Sequence, residues 1–419
     1  DPMVDRVIRA DDVRDAVSTA VWAQPVTDIH THLFSTEFGE LLLWGVDELL
    51  TYHYLIAETL RSSDVGYDAY WAMSQREQAD LVWQTLFIEN SPISEACRGV
   101  VTTLQAYGFD LSTRDLDSYR DALRDVRVED HIDRVFELAN VESVVMTNDP
   151  FDPVEQPVWL ADRAGDPRFL PALRIDPLLN AYAETGQPTL AALGYEADAT
   201  LSANGLAEIR RFLDDWVTRM DPQYMAVSLP PDFAYPEESA RGTIIRECVL
   251  PVSQERNVPF AVMIGVKRAV NPRLRMAGDG MAKADMSSLE RLLELHPDNK
   301  ILATLLSREN QHELCVIGRK FPNLLVFGCW WFMNNPSIID EITRERIELL
   351  GLSVIPQHSD ARILDQLVYK WPHSRAVIAD VLADKYADLA ASGWVLREDE
   401  LERDVAALLG GNFRQFLAR

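Results

Sequence analysis

Pro25-Val26-Thr27-Asp28-Ile29-His30-Thr31-His32 is the stretch on which the reading of the fold turns. Residues 25–29 form a short apolar, β-branched run with the character of a buried strand. Seven similar runs follow later, at 143–147, 169–175, 224–229, 259–264, 300–305, 324–327 and 352–355. Mixtures of polar and apolar residues at helical spacing, such as 204–220 and 287–296, separate them. Strands that alternate with helices predict βαβ units and a parallel sheet. With 25–29 the runs number eight, and eight units predict an α/β fold of the closed (β/α)8 TIM type rather than an open sheet.

The interval between the first and second runs is too long for one crossover. Residues 41–61, 69–89, 93–107 and 130–140 all read as helices. The sequence therefore predicts three parts: 1–33 with the first strand, an inserted helical subdomain at 34–140, and 141–419 as the rest of the barrel with its last helices. An insertion after the first strand lies over the C-terminal mouth, where barrel enzymes place their active sites. Helical residues 374–419 are expected to close the barrel from outside.

The chain has 419 residues, 47% hydrophobic and 25% charged, which is ordinary globular usage. Its net charge of −26 excludes extended binding to nucleic acid or to an anionic membrane surface, since both need a basic face. The longest apolar run, 324–333, is far short of the roughly 18–20 residues that span a bilayer. Asp1-Pro2-Met3-Val4 has neither the basic nor the apolar part of a signal peptide. Cys97, Cys248, Cys315 and Cys329 are isolated, which points to a reducing cytoplasm.

His30 and His32 carry the strongest chemical signal. Residues two apart in a strand point the same way, so both imidazoles can face the barrel mouth. Two converging imidazoles suit Zn²⁺ or a similar divalent ion, although H-x-H pairs are also found simply hydrogen-bonded. At the other end of the chain, Pro356-Gln357-His358-Ser359-Asp360-Ala361-Arg362 follows the eighth run. A closed barrel sets that segment beside the first strand, so Asp360 can complete a three-ligand set. The plain alternative is that Ser359 or Asp360 caps the next helix. His358 is a weaker metal candidate than His30, His32 and Asp360, since histidines in polar loops are more often solvated; His131, His296 and His312 read as caps or surface groups.

Taken in order, these motifs resemble the amidohydrolase superfamily and, within it, the uronate isomerase (glucuronate isomerase) family. The resemblance rests on Asp28–His32, His53-Tyr54, Thr147-Asn148-Asp149-Pro150, Arg174-Ile175-Asp176, Trp330-Trp331-Phe332 and Asp360-Ala361-Arg362. It covers the barrel and the insertion. It implies an aldose–ketose isomerase that converts D-glucuronate or D-galacturonate, a small-molecule sugar acid, to a keto-uronate. It also implies one divalent metal ion, zinc before manganese, held by His30, His32 and Asp360. Asp360 would shuttle the proton, Arg362 would balance charge, and His53, Tyr54, Arg174 and Trp331 would bind substrate.

One position departs from the family. Where it usually has histidine in the fifth strand, this chain has Met263, whose thioether neither accepts a proton nor binds a hard metal as imidazole does. Two other readings stay open at this stage. One is a single-metal hydrolase of an amide, ester or lactone, or a decarboxylase, on a related carboxylated substrate. The other is a catalytically silent binding barrel. A homo-oligomer is compatible with the sequence but not readable from it. An anionic substrate on so acidic a chain predicts a local positive spot built from Arg174, Arg362 and the metal.

Overall fold

The computed structural model describes residues 6–161 and 165–419; the leader reading at 1–4 falls outside them. Parallel strands pair in chain order. The first, Val26–Asp28, pairs with the second, Val141–Val145, and the second pairs with Phe169–Leu170. The third strand breaks after Leu170 because Pro171 has no N–H to give the ladder. Asn148 bridges the gap, its side-chain oxygen accepting from the Ala172 N–H at 3.2 Å. The strand resumes at Leu173–Arg174 and pairs with Met225–Leu229, then Phe260–Ile264, Ile301–Leu305 and Leu324–Val326 follow in register.

The eighth run is shorter than the sequence predicts. Only Ile355 bridges, to Phe327. Its carbonyl neighbours are taken: the Asn412 side chain donates to the carbonyls of Leu352 and Val354 at 2.6 and 3.0 Å, and Pro356 ends the run. The ring closes instead at the mouth, where the Asp360 N–H donates to the His30 carbonyl (3.1 Å) and the His32 N–H to the Ala361 carbonyl (2.8 Å).

Strand parity sorts the side chains into two cores. Phe260, Val262 and Ile264 join the core shared with the surrounding helices, whereas Ala261 and Met263 join the one inside the ring. The helix Asn412–Ala418 corrects the expectation that 374–419 lies wholly outside. Phe413 and Phe416 are buried in the inner core, and Phe413 meets the Tyr224 ring at 6.2 Å. At the start of the sixth strand, Lys300 Nζ donates to the carbonyls of Phe416 and Leu417, a cation at a helix C-terminus. This plugs the end of the barrel opposite the mouth.

Helices fill the interval after the first strand, from Val46–Leu50 and His53–Ser62 to Val128–Ala139. One of them, Leu116–Leu123, went unassigned in the sequence; Asp115 caps it through the Ser118 N–H. His131 is not the surface group expected. It is buried, with Nε2 2.8 Å from Asp365 Oδ2, and Tyr107 donates to the same oxygen at 2.5 Å. Among the described residues no helix is long and apolar enough to cross a membrane.

Candidate active site

The first strand ends at Asp28, and the next residues carry His30 and His32 into the mouth. His30 is held from behind. Its Nδ1 lies 3.0 Å from the Tyr224 hydroxyl, which itself donates to the Ile29 carbonyl at 2.7 Å. With the hydroxyl proton already committed, Tyr224 can only accept, so Nδ1 carries the hydrogen and Nε2 keeps its lone pair. That Nε2 is 3.5 Å from Asp360 Oδ1, and His32 Nε2 is 3.3 Å from the same oxygen.

These three residues form a group whose ligand atoms all lie within 4.8 Å of one another. Burial pushes the His30 imidazole down to about 3, and His32 well below its ordinary range; the nearby Arg362 and Arg174 push both in the same direction. Both rings are therefore neutral at physiological pH and offer lone pairs. Asp360 Oδ1 is buried without a hydrogen-bond partner. Two nitrogens and one carboxylate oxygen, converging and otherwise unsatisfied, fit a divalent cation.

Around this group lies a cleft of about 330 Å³. Tyr52 and His53 enter it at the start of the helix His53–Ser62, Arg174 and Asp176 from the end of the third strand, and Trp330 and Trp331 from beyond the seventh. Arg174 donates to Asp176 Oδ2 at 3.0 Å, and Asp176 Oδ1 accepts from the Ser228 N–H at 3.1 Å. The Asp176 charge raises the Arg174 pKa further, so the guanidinium is a permanent cation. Arg268, paired with Asp279 at 2.8 Å, and Arg362 also line the cleft. Asp176, Asp279 and Asp360 line the same cleft, so the three arginines are balanced by three carboxylates, and the positive spot that the sequence predicts requires the bound cation as well.

Two more polar atoms in the cleft walls lack partners. His53 Nε2 and Trp331 Nε1 are buried without a hydrogen bond. Leaving such groups unsatisfied costs about 1–3 kcal/mol each, so a polar ligand that reached them would be bound favourably. Asp360 and Trp331 also have left-handed backbones, with φ of 53° and 45°. Aspartate tolerates that region; tryptophan does not, and strain of this kind gathers at functional sites.

The structure brings His30, His32, His53, Arg174, Trp331, Asp360 and Arg362 to one cleft. Tyr54 is not among the lining residues; its ring sits 4.9 Å from Tyr52, which takes the lining position, and 6.1 Å from Phe332. Met263 lines the cleft in the place of the usual histidine. His358 is fully buried rather than solvated, its ring 5.3 Å from that of His30. Gly328 makes this packing possible, since a Cβ there would overlap the imidazole. Sequence reasoning missed Tyr224 and Tyr52. Tyr224 shares inward parity with Ala226 and Ser228, a signal present in the fourth run.

No protein-family profile matches the chain, and no curated protein matches it. Among solved structures, it is similar to a uronate isomerase from Bacillus halodurans, with 56% identity and a TM-score of 0.97 over 99% of this chain and 98% of that one. A glucuronate isomerase from Caulobacter crescentus aligns at 16% identity and TM-score 0.78, over 98% and 94% of the two chains. A uronate isomerase from Thermotoga maritima aligns at 17% and 0.75, over 97% of each. The latter two share the fold.

Proposed function

Since the chain belongs to the uronate isomerase family, we infer that it is an aldose–ketose isomerase of hexuronates, with D-glucuronate and D-galacturonate as the substrates to test. One observation carries the reading beyond family membership. Asp360 Oδ1, His53 Nε2 and Trp331 Nε1 are unsatisfied polar atoms around one cleft that Arg174 also lines, which suits an anionic, hydroxyl-rich ligand. The hydrolase and decarboxylase readings are not favoured.

The reaction opens the sugar ring and moves a proton between C2 and C1 through an enediolate. Asp360 is the carboxylate placed to take and return that proton, through the oxygen that is not turned toward His30 and His32. Arg362, two residues on, offsets the negative charge that develops. Arg174 clamps the far carboxylate with the part of its fork that Asp176 leaves open. His53 and Tyr52 reach sugar hydroxyls, Trp331 offers a flat face, and Tyr54 supports Tyr52 from behind. One divalent ion, zinc before manganese, would be held by His30, His32 and Asp360 and would stabilise negative charge on the substrate oxygens. Because Tyr52 and His53 come from the inserted helices, we place 34–140 as a subdomain over the mouth. The four buried, unpaired cysteines suit a reducing cytoplasm.

A panel of uronates with ketose as the readout tests this assignment. Ketose is expected from D-glucuronate or D-galacturonate; release of carbon dioxide, or hydrolysis of a lactone without ketose, would overturn it. Tyr224→Phe is expected to weaken zinc about 10–100-fold in chelator competition, as loss of an outer partner of a ligand histidine does. Zinc affinity equal to that of the parent would show that Tyr224 does not set the His30 tautomer.

A further inference from the structure

The carboxylate of Asp360 has no hydrogen bond of its own at Oδ1, so its direction is fixed by the backbone that carries it. That backbone is in the left-handed region and is held by hydrogen bonds on both sides of the residue. The Asp360 N–H donates to the His30 carbonyl, the Ala361 N–H to Ser359 Oγ, and the His32 N–H to the Ala361 carbonyl. Ser359 is held on both sides by buried charged residues. Its N–H donates to Asp28 Oδ1 at 3.0 Å, and its carbonyl accepts from Lys370 Nζ at 2.8 Å. Asn334 reaches the same carbonyl only at 3.3 Å.

Asp28 and Lys370 do not line the cleft. They are 0% and 5% exposed, and burying charges is costly unless each has strong partners. The helix Leu367–Ala391 supplies both parts of the clamp: Lys370 holds Ser359, and next to it the Trp371 Nε1–H donates to Asp28 Oδ2 at 2.9 Å. Lys370 Nζ also lies 5.9 Å from the ring centre of Tyr52, a cleft residue. The clamp thus ties the end of the first strand, the segment after the eighth, and the long helix to one residue beside the reacting carboxylate.

We propose that Lys370 and Asp28 are positioning residues for Asp360, gripping the Ser359 carbonyl and N–H so that the carboxylate keeps its aim at His30 and His32. The proposal rests on the role given to Asp360 above. Lys370→Met keeps length and burial but removes the donor. Asp28→Asn is isosteric, yet its NH₂ must face either the Ser359 N–H or the Trp371 N–H, so one grip is lost.

In each variant kcat on the preferred uronate is expected to fall about 30-fold and zinc affinity, by chelator competition, about tenfold, with KM changed less than about threefold. A purely structural role would lower the melting temperature and leave kcat per folded molecule unchanged; that result, or zinc affinity and kcat within about twofold of the parent, overturns the proposal. If Lys370→Met does not fold, the isosteric Asp28→Asn decides. Asp360→Ala, run alongside, separates the two failures. An active Asp360→Ala removes the reading of the site, whereas an inactive one beside a normal Lys370→Met removes only the positioning role.

Discussion

Asp360→Asn is expected to lower kcat on a uronate by about 1,000-fold or more, because it deletes the proton shuttle and weakens a metal ligand together. General acid–base catalysis alone is worth about 100–10,000-fold. Asparagine is the informative replacement here. It keeps the shape of the side chain and accepts the left-handed backbone at φ 53°, so the change is in basicity and charge rather than in strain. Alanine at the same position adds a backbone penalty of about 1 kcal/mol. The metal-free protein should respond in the opposite direction. A buried carboxylate oxygen with no hydrogen bond destabilises the fold, so Asp360→Asn is expected to raise the melting temperature of the metal-free chain while activity is lost. Steady-state kinetics and paired thermal melts read both effects. Turnover within tenfold of the parent would remove Asp360 from the chemistry.

The parts of this site that were legible in the sequence are those fixed by parity and closure. His30 and His32 lie two apart beyond a strand, and Asp360 follows the last strand of a ring that must close beside the first, so their meeting needed only the count of eight. Arg174 at the end of the third strand was legible for the same reason. The parts that were not legible depend on contacts from distant segments. The eighth strand loses its ladder because Asn412 takes the carbonyls of Leu352 and Val354. The inward parity of Tyr224 was readable, but not that its side chain reaches across the ring to His30. His358 and His131 carry no local mark of burial; Gly328 makes room for the first and Asp365 pairs the second. Tyr52 replaces Tyr54 in the cleft because the helix begins at His53, a boundary that sequence patterns place only to within a few residues.

Arg174→Met is the second large effect. It is expected to lower kcat/KM about 1,000-fold, mainly through KM. Truncating one partner of a hydrogen-bonded charge pair costs about 2–5 kcal/mol, and about 4 kcal/mol corresponds to that factor. Two contributions of the same sign make up the loss. The substrate carboxylate loses its fork, and Asp176, whose side chain is 13% exposed, is left as an unpaired anion facing that carboxylate. Arg174→Lys keeps the charge but not the planar pair of donors, so it should recover only part of the loss. The double variant Arg174→Met/Asp176→Asn separates the contributions. It removes the repulsion and is expected to regain about tenfold in kcat/KM over Arg174→Met alone, a coupling that a cycle of the four proteins measures directly. The regain should appear with anionic uronates and vanish with neutral sugars of the same length, because the repulsion needs a charge on the substrate. An unchanged KM in Arg174→Met would mean that the Arg174–Asp176 pair only braces the end of the third strand, and the substrate carboxylate would then have to be held by Arg268 or Arg362.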